Sequence, residues 1–372
     1  MRCCFGVLLV AMLAACGGDG GRIRAVPFAQ LDGFATAEIL PALPAFRRTC
    51  SRRGAPPSAI AKPADWEGAC AAADAVVSEA EAKAWLAQHF TPVVIGPGTA
   101  LVTGYFEPVF DASAEPNAVH SAPVLARPRD LVTVDLGAFR PELAGERIAG
   151  RVVGGRLLPY PDRAAIADSP PEDAAVMAYM HPDDLFFLQI QGSGVLRMED
   201  GWRRVGYAAQ NGHPYHAIGK TLVDDGEMQL EDVTMQSIRT WLNEASEDDA
   251  ARVRHTNPSY VFFADRGSAV GGEGPIGTAG VPLTPEVSVA VDPAVIPLGA
   301  PVWIVGDSAP LKLHGLHIAQ DTGGAIRGAG RLDLFLGRGA EAGEIAGRLK
   351  LEARVAILLP NPAARRLLEA SS

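Results

Sequence analysis

Apolar positions along the chain fall into two regimes. Before about residue 100 they recur at helical spacing. Ser78-Glu-Ala-Glu81 has the form of a capping box, in which a hydroxyl and a carboxylate satisfy the free N–H groups of a first turn. The run Ala82 to Phe90 that follows sets Ala82, Trp85, Leu86 and His89 at that spacing and predicts a helix. From about Leu101 the pattern changes to short apolar runs broken by turn residues, which predicts strands. These are Ala100–Tyr105, Leu185–Ile190, Tyr260–Phe263, Val287–Val291 and Pro301–Val305. One helix interrupts them, Thr234 to Ala245, with Ile238, Trp241, Leu242 and Ala245 on one face. Ser246–Asp249 reads as a solvated connector after it. Ala340–Leu349 predicts a last helix and Ala353–Leu359 a last strand. There is no internal repeat.

With 372 residues, 48% of them hydrophobic, the chain can form two domains with real cores. Its 40 glycines and 29 prolines favour turn-rich β structure with peripheral helices over a bundle. The formal charge of −10 argues against a nucleic-acid partner, which needs clustered Lys and Arg. Arg2 and the apolar run Phe5–Leu13 form a signal-peptide pattern too short for a membrane-spanning helix. Leu13-Ala-Ala-Cys16 resembles a bacterial lipobox, with residues 1–15 removed, Cys16 lipidated and residues 16–30 a tether; an ordinary secretory signal is the alternative. Gly17 after that cysteine points to the outer membrane. Removal of the signal leaves Cys50 and Cys70 in an oxidising compartment, where an even count predicts a disulfide.

Four segments combine polar side chains with glycine in a way that a core strand does not need. They are Thr103-Gly104-Tyr105-Phe-Glu-Pro108, Gln189-Ile-Gln191-Gly192-Ser193-Gly194, Gly206-Tyr207-Ala-Ala-Gln210-Asn211-Gly212, and His317 to Gly337. Gln189 and Gln191 share a face if their run is a strand. In the last segment Leu332, Leu334 and Leu336 alternate with Arg331, Asp333 and Phe335. The leucine face belongs to a core, so Asp333 points the other way beside an aromatic ring. An acid and a ring are the equipment of a sugar site; a solvated Asp on an edge strand is the plain alternative. Asp321, before Thr-Gly-Gly, either caps turn amides or works with Asp333, whose pKa a second carboxylate would raise. A protonated Asp at pH 7 costs roughly 4 kcal/mol from its ordinary pKa of about 3.9, and Arg331 opposes that shift. His213-Pro-Tyr-His216 lacks a third ligand nearby, so no metal or other cofactor is expected.

These motifs, together with Asn257-Pro-Ser-Tyr-Val-Phe-Phe263, Gly280-Val-Pro-Leu-Thr-Pro285 and Asp292 to Gly299, occur in one order from about residue 100 onward. In that order they resemble the membrane-bound lytic murein transglycosylase A family. The resemblance implies a double-psi β-barrel, residues 31–106 plus 257–365, with a smaller β domain inserted at 107–256 and glycan bound in a groove between them. It implies Asp333 as catalytic acid and Asp321 as a supporting carboxylate. Thr103, Gly104, Tyr105, Gln189, Gln191, Gly192, Ser193, Tyr207, Gln210, Asn211, Gln320 and Phe335 are then expected along the glycan path.

The reaction implied is cleavage of the β-1,4 bond between N-acetylmuramic acid and N-acetylglucosamine, with 1,6-anhydro ends as product. The expected partners are peptidoglycan strands and, through the lipid anchor, the outer membrane, with the protein facing the periplasm; complexes of cell-wall synthesis or hydrolysis stay open. Two other readings remain at this point, a peptidoglycan glycoside hydrolase and a non-catalytic peptidoglycan-binding lipoprotein.

Overall fold

A computed structural model describes residues 23–52, 58–269, 274–308 and 311–371. Cys16 and the signal segment lie outside the described residues. Contacts divide the chain into two units, Met1–Glu107 with Gly272–Ser372, and Pro108–Gly271.

The first unit opens with β1 (Ile23–Ala25) and three helices, α1 (Leu43–Ser51), α2 (Glu67–Ala73) and α3 (Glu79–His89). Two strands follow, β2 (Phe90–Ile95) and β3 (Thr99–Glu107). The predicted capping box is present at the start of α3: Ser78 accepts from the Glu81 amide, and Glu81 accepts from Ser78. The second unit contains strands β4 (Val109–Ser113), β5 (Ala122–Leu125), β6 (Val132–Asp135), β7 (Arg147–Val153) and β8 (Arg156–Pro159). It continues with α4 (Arg163–Asp168), β9 (Val176–Met180), α5 (Pro182–Gln191), β10 (Ser193–Met198) and β11 (Gly201–Gln210). It ends with α6 (Ile218–Asp224), α7 (Met235–Glu244), α8 (Glu247–His255) and β12 (Val261–Ser268). The chain then returns to the first unit as β13 (Ser288–Ala290), β14 (Pro301–Ser308), β15 (Leu311–Asp321) and β16 (Arg331–Arg338). The last elements are α9 (Gly339–Arg348), β17 (Lys350–Pro360) and α10 (Asn361–Ser371).

Among the described residues the first unit forms one sheet in the order β1-β2-β17-β14-β15-β13-β16-β3, and β3 also pairs with β17. That last pairing closes the six strands from β17 to β3 into a barrel. Two of its pairings are parallel, β13 with β15 and β16 with β3. Period-two alternation separates inside from outside. Val102, Val289, Val302, Ile304, Ala319, Leu332, Leu334 and Ile357 fill the barrel as one buried cluster. Trp303, Leu316, Ile318 and Leu358 project outward beneath the helices, where Phe46, Trp85 and Phe90 meet edge-on. The second unit is built on a six-stranded sheet, β12-β11-β10-β4-β9-β5, and a bridge between Ala126 and Phe263 brings its ends together. A separate sheet, β6-β7-β8, extends from it.

Three expectations change. Leu185–Ile190 is not a strand but the body of α5. His181 caps it, Pro182 occupies its first turn with Asp183 and Asp184, and Gly192 ends it at φ 77°. Its Leu185, Phe186, Phe187 and Leu188 are all buried, so no amphipathic period marks the helix. Ser246–Asp249 is not a connector: Ser246 accepts from the Asp249 amide and starts α8, whose three acids face the positive end of the helix dipole. Residues 257–269 belong to the second unit rather than the barrel, because β12 hydrogen-bonds along β11.

Cys50 and Cys70 form the expected disulfide, with Cα atoms 5.6 Å apart, joining α1 to α2. The bond closes a loop of 20 residues. Replacing both cysteines by alanine should lower stability by about 3 kcal/mol, read as a lower urea midpoint with a slope that is unchanged or steeper as the unfolded chain expands.

Candidate active site

Asp333 is the third residue of β16, with its neighbours Leu332 and Leu334 inside the barrel, so alternation turns its carboxyl outward. The parallel pairing sets Asp333 opposite Thr103 of β3. There the Thr103 hydroxyl donates to Asp333 Oδ1 at 2.6 Å. On the other side Ala290 of β13 pairs with Asp333 and also with Asp321 of β15. The β13–β15 register shifts between Val289, paired with Ala319, and Ala290, paired with Asp321. Without this extra residue Gln320 would stand opposite Ala290. The bulge therefore brings Asp321 to the face that carries Asp333, the kind of re-aiming that bulges perform beside functional sites.

Asp321 is held on both oxygens. Thr278 donates to Oδ1 through its amide at 3.0 Å and its hydroxyl at 2.9 Å, and the Tyr105 hydroxyl donates to Oδ2 at 2.9 Å. Tyr105, two residues beyond Thr103 on the same face of β3, packs its ring 5.4 Å from that of Phe335. Burial, the Asp321 charge and the hydrogen bond to Asp321 all push the Tyr105 hydroxyl far above its ordinary pKa, so it stays a donor. Burial likewise pushes the Asp333 carboxyl above the usual carboxylate range. The Thr103 hydrogen bond and the Arg331 charge pull it down, and Asp321 pushes it up. A part-buried carboxyl whose pKa is raised, with one oxygen hydrogen-bonded to a hydroxyl, has the character of a group that can protonate a bound ether oxygen.

The remaining expected positions separate by burial. Gln320 is fully buried and faces α1, donating to the Ala45 carbonyl and the Thr49 hydroxyl while it accepts from Ser288. Gln189 is buried in α5, accepting from Arg163 and donating to the Val261 carbonyl. Asn211 donates to the Pro161 and Pro258 carbonyls and accepts from the Tyr260 amide. Phe335 is 1% exposed, so its ring offers no open face for stacking. A side chain at Gly104 would strike Leu336 and α9, which makes it a packing glycine. Gly192 is the left-handed stop of α5. Gln320, Gln189, Asn211 and Phe335 hold architecture instead of presenting groups to a ligand, because their polar atoms or surfaces are spent inside the protein. Gln191, Ser193, Tyr207 and Gln210 are exposed in the second unit, and Thr103, Tyr105 and Asp321 are part-exposed in the first. The sequence reading missed Thr278. It sits in a loop with no periodicity to mark it, closed by a turn in which the Gly280 amide donates to the Gly277 carbonyl.

A family model described as the MltA specific insert domain matches residues 101–264, and the 3D domain matches residues 287–359. The crystal structure of MltA from Neisseria gonorrhoeae superposes with a TM-score of 0.81 at 31% identity, covering 93% of this chain and 92% of that one. The chain belongs to the membrane-bound lytic murein transglycosylase A family. Within the family, the Escherichia coli K12 protein named membrane-bound lytic murein transglycosylase A is 38% identical over 223 residues, which is 56% of this chain. The match spans only 58% of the length of that curated relative. The E. coli MltA structure with bound chitohexaose superposes with a TM-score of 0.58 at 26% identity, over 86% of this chain and 90% of that one. The barrel and the second, nearly closed sheet are thus the fold of this family.

Substitutions around the acid should move its pKa in opposite directions. A carboxyl loses its proton as pH rises through its pKa, so the titration of Asp333 followed by carboxyl 13C NMR reads the shift directly. Thr103→Val removes a donor that favours the carboxylate, and the Asp333 titration should move to higher pH. Asp321→Asn removes a neighbouring negative charge and should move the same titration to lower pH. Equal displacement of both variants in one direction would contradict the assigned electrostatics.

Proposed function

We propose that the chain is a lytic transglycosylase that cleaves the β-1,4 bond between N-acetylmuramic acid and N-acetylglucosamine in peptidoglycan. The observation that carries this reading is the Asp333 carboxyl. It is half-buried, held by Thr103 on one oxygen, and kept inclined to protonation by burial beside a second carboxylate. The names of the relatives and the sugar-bound structure of one of them support the substrate class.

Asp333 gives its proton to the bridging oxygen as the glycosidic bond breaks and C1 of the muramyl residue gains positive charge. The muramyl C6 hydroxyl closes on C1 from within the same sugar, and its proton passes to the Asp333 carboxylate. A 1,6-anhydro ring forms, no water is consumed, and the acid is restored. The attacking group is already attached, which removes the entropic cost of recruiting a second molecule. Asp321 acts as a fixed negative charge near the developing cation. Both its oxygens accept hydrogen bonds from the protein, which argues against its activating a water as a hydrolase would require. Tyr105 and Thr278 hold it in place. Tyr207, Gln210, Gln191 and Ser193 are the exposed polar positions assigned to glycan contact in the second unit.

We place the protein at the outer membrane, facing the periplasm, anchored by lipid on Cys16; relatives named as membrane-bound support this placement. Among the described residues no helix is long and apolar enough to cross a membrane.

Two experiments test this reading. Asp333→Asn should slow digestion of purified sacculi by about 10²- to 10⁴-fold, the range of a lost general acid. Mass spectrometry of the wild-type digest should find anhydro ends; reducing ends would make the enzyme a hydrolase, and equal digestion by the variant would remove Asp333 from the chemistry. Cys16→Ser should release the protein from the membrane fraction, and its retention there would refute the anchor.

A further inference from the structure

The sheet of β6, β7 and β8 has two unlike faces. Residues opposite each other in antiparallel strands share a face. One face therefore carries Val134 with Ile148, Val132 with Gly150 and Pro159, and Val152 with Leu157. The other carries Asp135 with Arg147, Thr133 with Ala149, Arg151 with Leu158 and Val153 with Arg156. Ala149 settles which face meets the rest of the second unit. It packs on the buried cluster of Tyr160 and Phe262, and a Cβ at Gly212 would come within 2.9 Å of its own. Beyond Gly150, which is buried, the hairpin is open on both faces, with Val153 49% and Leu158 37% exposed beside Arg151 and Arg156, and the wholly apolar face is open along most of its length. Val152 is 60% exposed, Ile148 44%, Leu157 38% and Val132 37%. A continuous apolar row this exposed marks an interaction surface.

Charge identifies what the row meets. Arg147 to Pro159 contains three arginines and no acid, within a chain whose formal charge is −10. The strands are joined by Gly154 and Gly155 at φ 57° and 78°, a two-residue turn that needs both glycines and brings Val153 and Arg156 to the tip. An acidic protein is repelled by an anionic surface except where its cations collect. Valine and leucine flanked by arginines, whose long stems let the guanidinium reach away from an apolar contact, have the composition of interfacial membrane elements. The apolar face of a sugar stacks on aromatic rings, and this row has none.

We propose that the β7–β8 hairpin is a membrane-contacting element. It lays Val152 and Leu157 into the headgroup boundary of an anionic lipid leaflet, with Arg151 and Arg156 against lipid phosphates. The proposal is independent of the catalytic reading.

The full chain, with its N-terminus as the cell processes it, provides the test. Cys50 and Cys70 are bonded to each other, so Val153→Cys adds a thiol that can be labelled with an environment-sensitive nitrobenzoxadiazole. Any N-terminal anchor acts equally on vesicles of phosphatidylcholine alone and on vesicles containing phosphatidylglycerol. The label should shift to shorter wavelength and brighten at least twofold on the anionic vesicles only. Arg151→Glu with Arg156→Glu should abolish the response, as should Val152→Ser with Leu157→Ser, while unchanged thermal unfolding shows that both variants fold. Equal emission on the two vesicle types, or a response indifferent to these substitutions, would overturn the proposal. So would a shift produced by sacculi and not by vesicles, which would assign the hairpin to the wall.

Discussion

The parallel pairing of β16 with β3 is the interaction on which the candidate site depends. Parallel neighbours cannot be joined by a tight turn, and here the whole second unit lies between them in the chain. The pairing performs two tasks. With β17 it closes the barrel, so that Leu332 and Leu334 become interior residues. It also sets Thr103 against Asp333 at hydrogen-bonding distance. The acid is thus fixed by the same ladder that forms the core, on a strand whose other face is fully buried. Such a site is more rigid than one carried on a loop.

Magnitudes show why burial must dominate the acid's pKa. Asp321 and Asp333 stand two strand spacings apart, about 10 Å between backbones. At an effective dielectric of about 20, two unit charges at that separation repel by roughly 1.7 kcal/mol. That is less than half of the roughly 4 kcal/mol needed to keep an ordinary Asp protonated at pH 7. Desolvation is accordingly the largest cause of the upward shift, with the second carboxylate as an addition to it. Thr103 and Arg331 oppose the shift. A protein that only maximised the pKa would have neither; the hydroxyl instead holds one carboxyl oxygen in place.

Several glycine- and amide-rich motifs turn out to build the frame. Arg163 shows the cost of such a frame and how it is met. The guanidinium is buried between the Phe186 and Tyr260 rings and donates to Gln189 and to the Asn257 and Ser259 carbonyls. Burial lowers its pKa to about 10, which still leaves it charged at neutral pH. Gln189, Asn211 and Asn257 are therefore tied into one network that ties α4 and α5 to the return of the chain toward β12. Their amides satisfy buried backbone groups that water cannot reach.

The sequence alone determined features that are local in origin. The α3 capping box, the amphipathic stripe of α7 and the alternation that turns Asp333 away from Leu332 and Leu334 each depend on neighbours a few residues apart, so their physics is written in short windows. The disulfide was legible because Cys50 and Cys70 are the two cysteines beyond residue 16. Where burial is complete on all sides, as in Leu185–Leu188, periodicity vanishes and helix and strand look alike; tertiary packing decided for the helix. The same limit applied to amides: nothing near Gln320, Gln189 or Asn211 in sequence tells whether an amide meets a ligand or a distant carbonyl. Asp321 reaches the face of Asp333 only through a bulge against β13, and it is clamped by Thr278, 43 residues earlier in the chain. Register between distant strands is set by closure of the barrel around its core, an energy summed over six strands that no single segment contains.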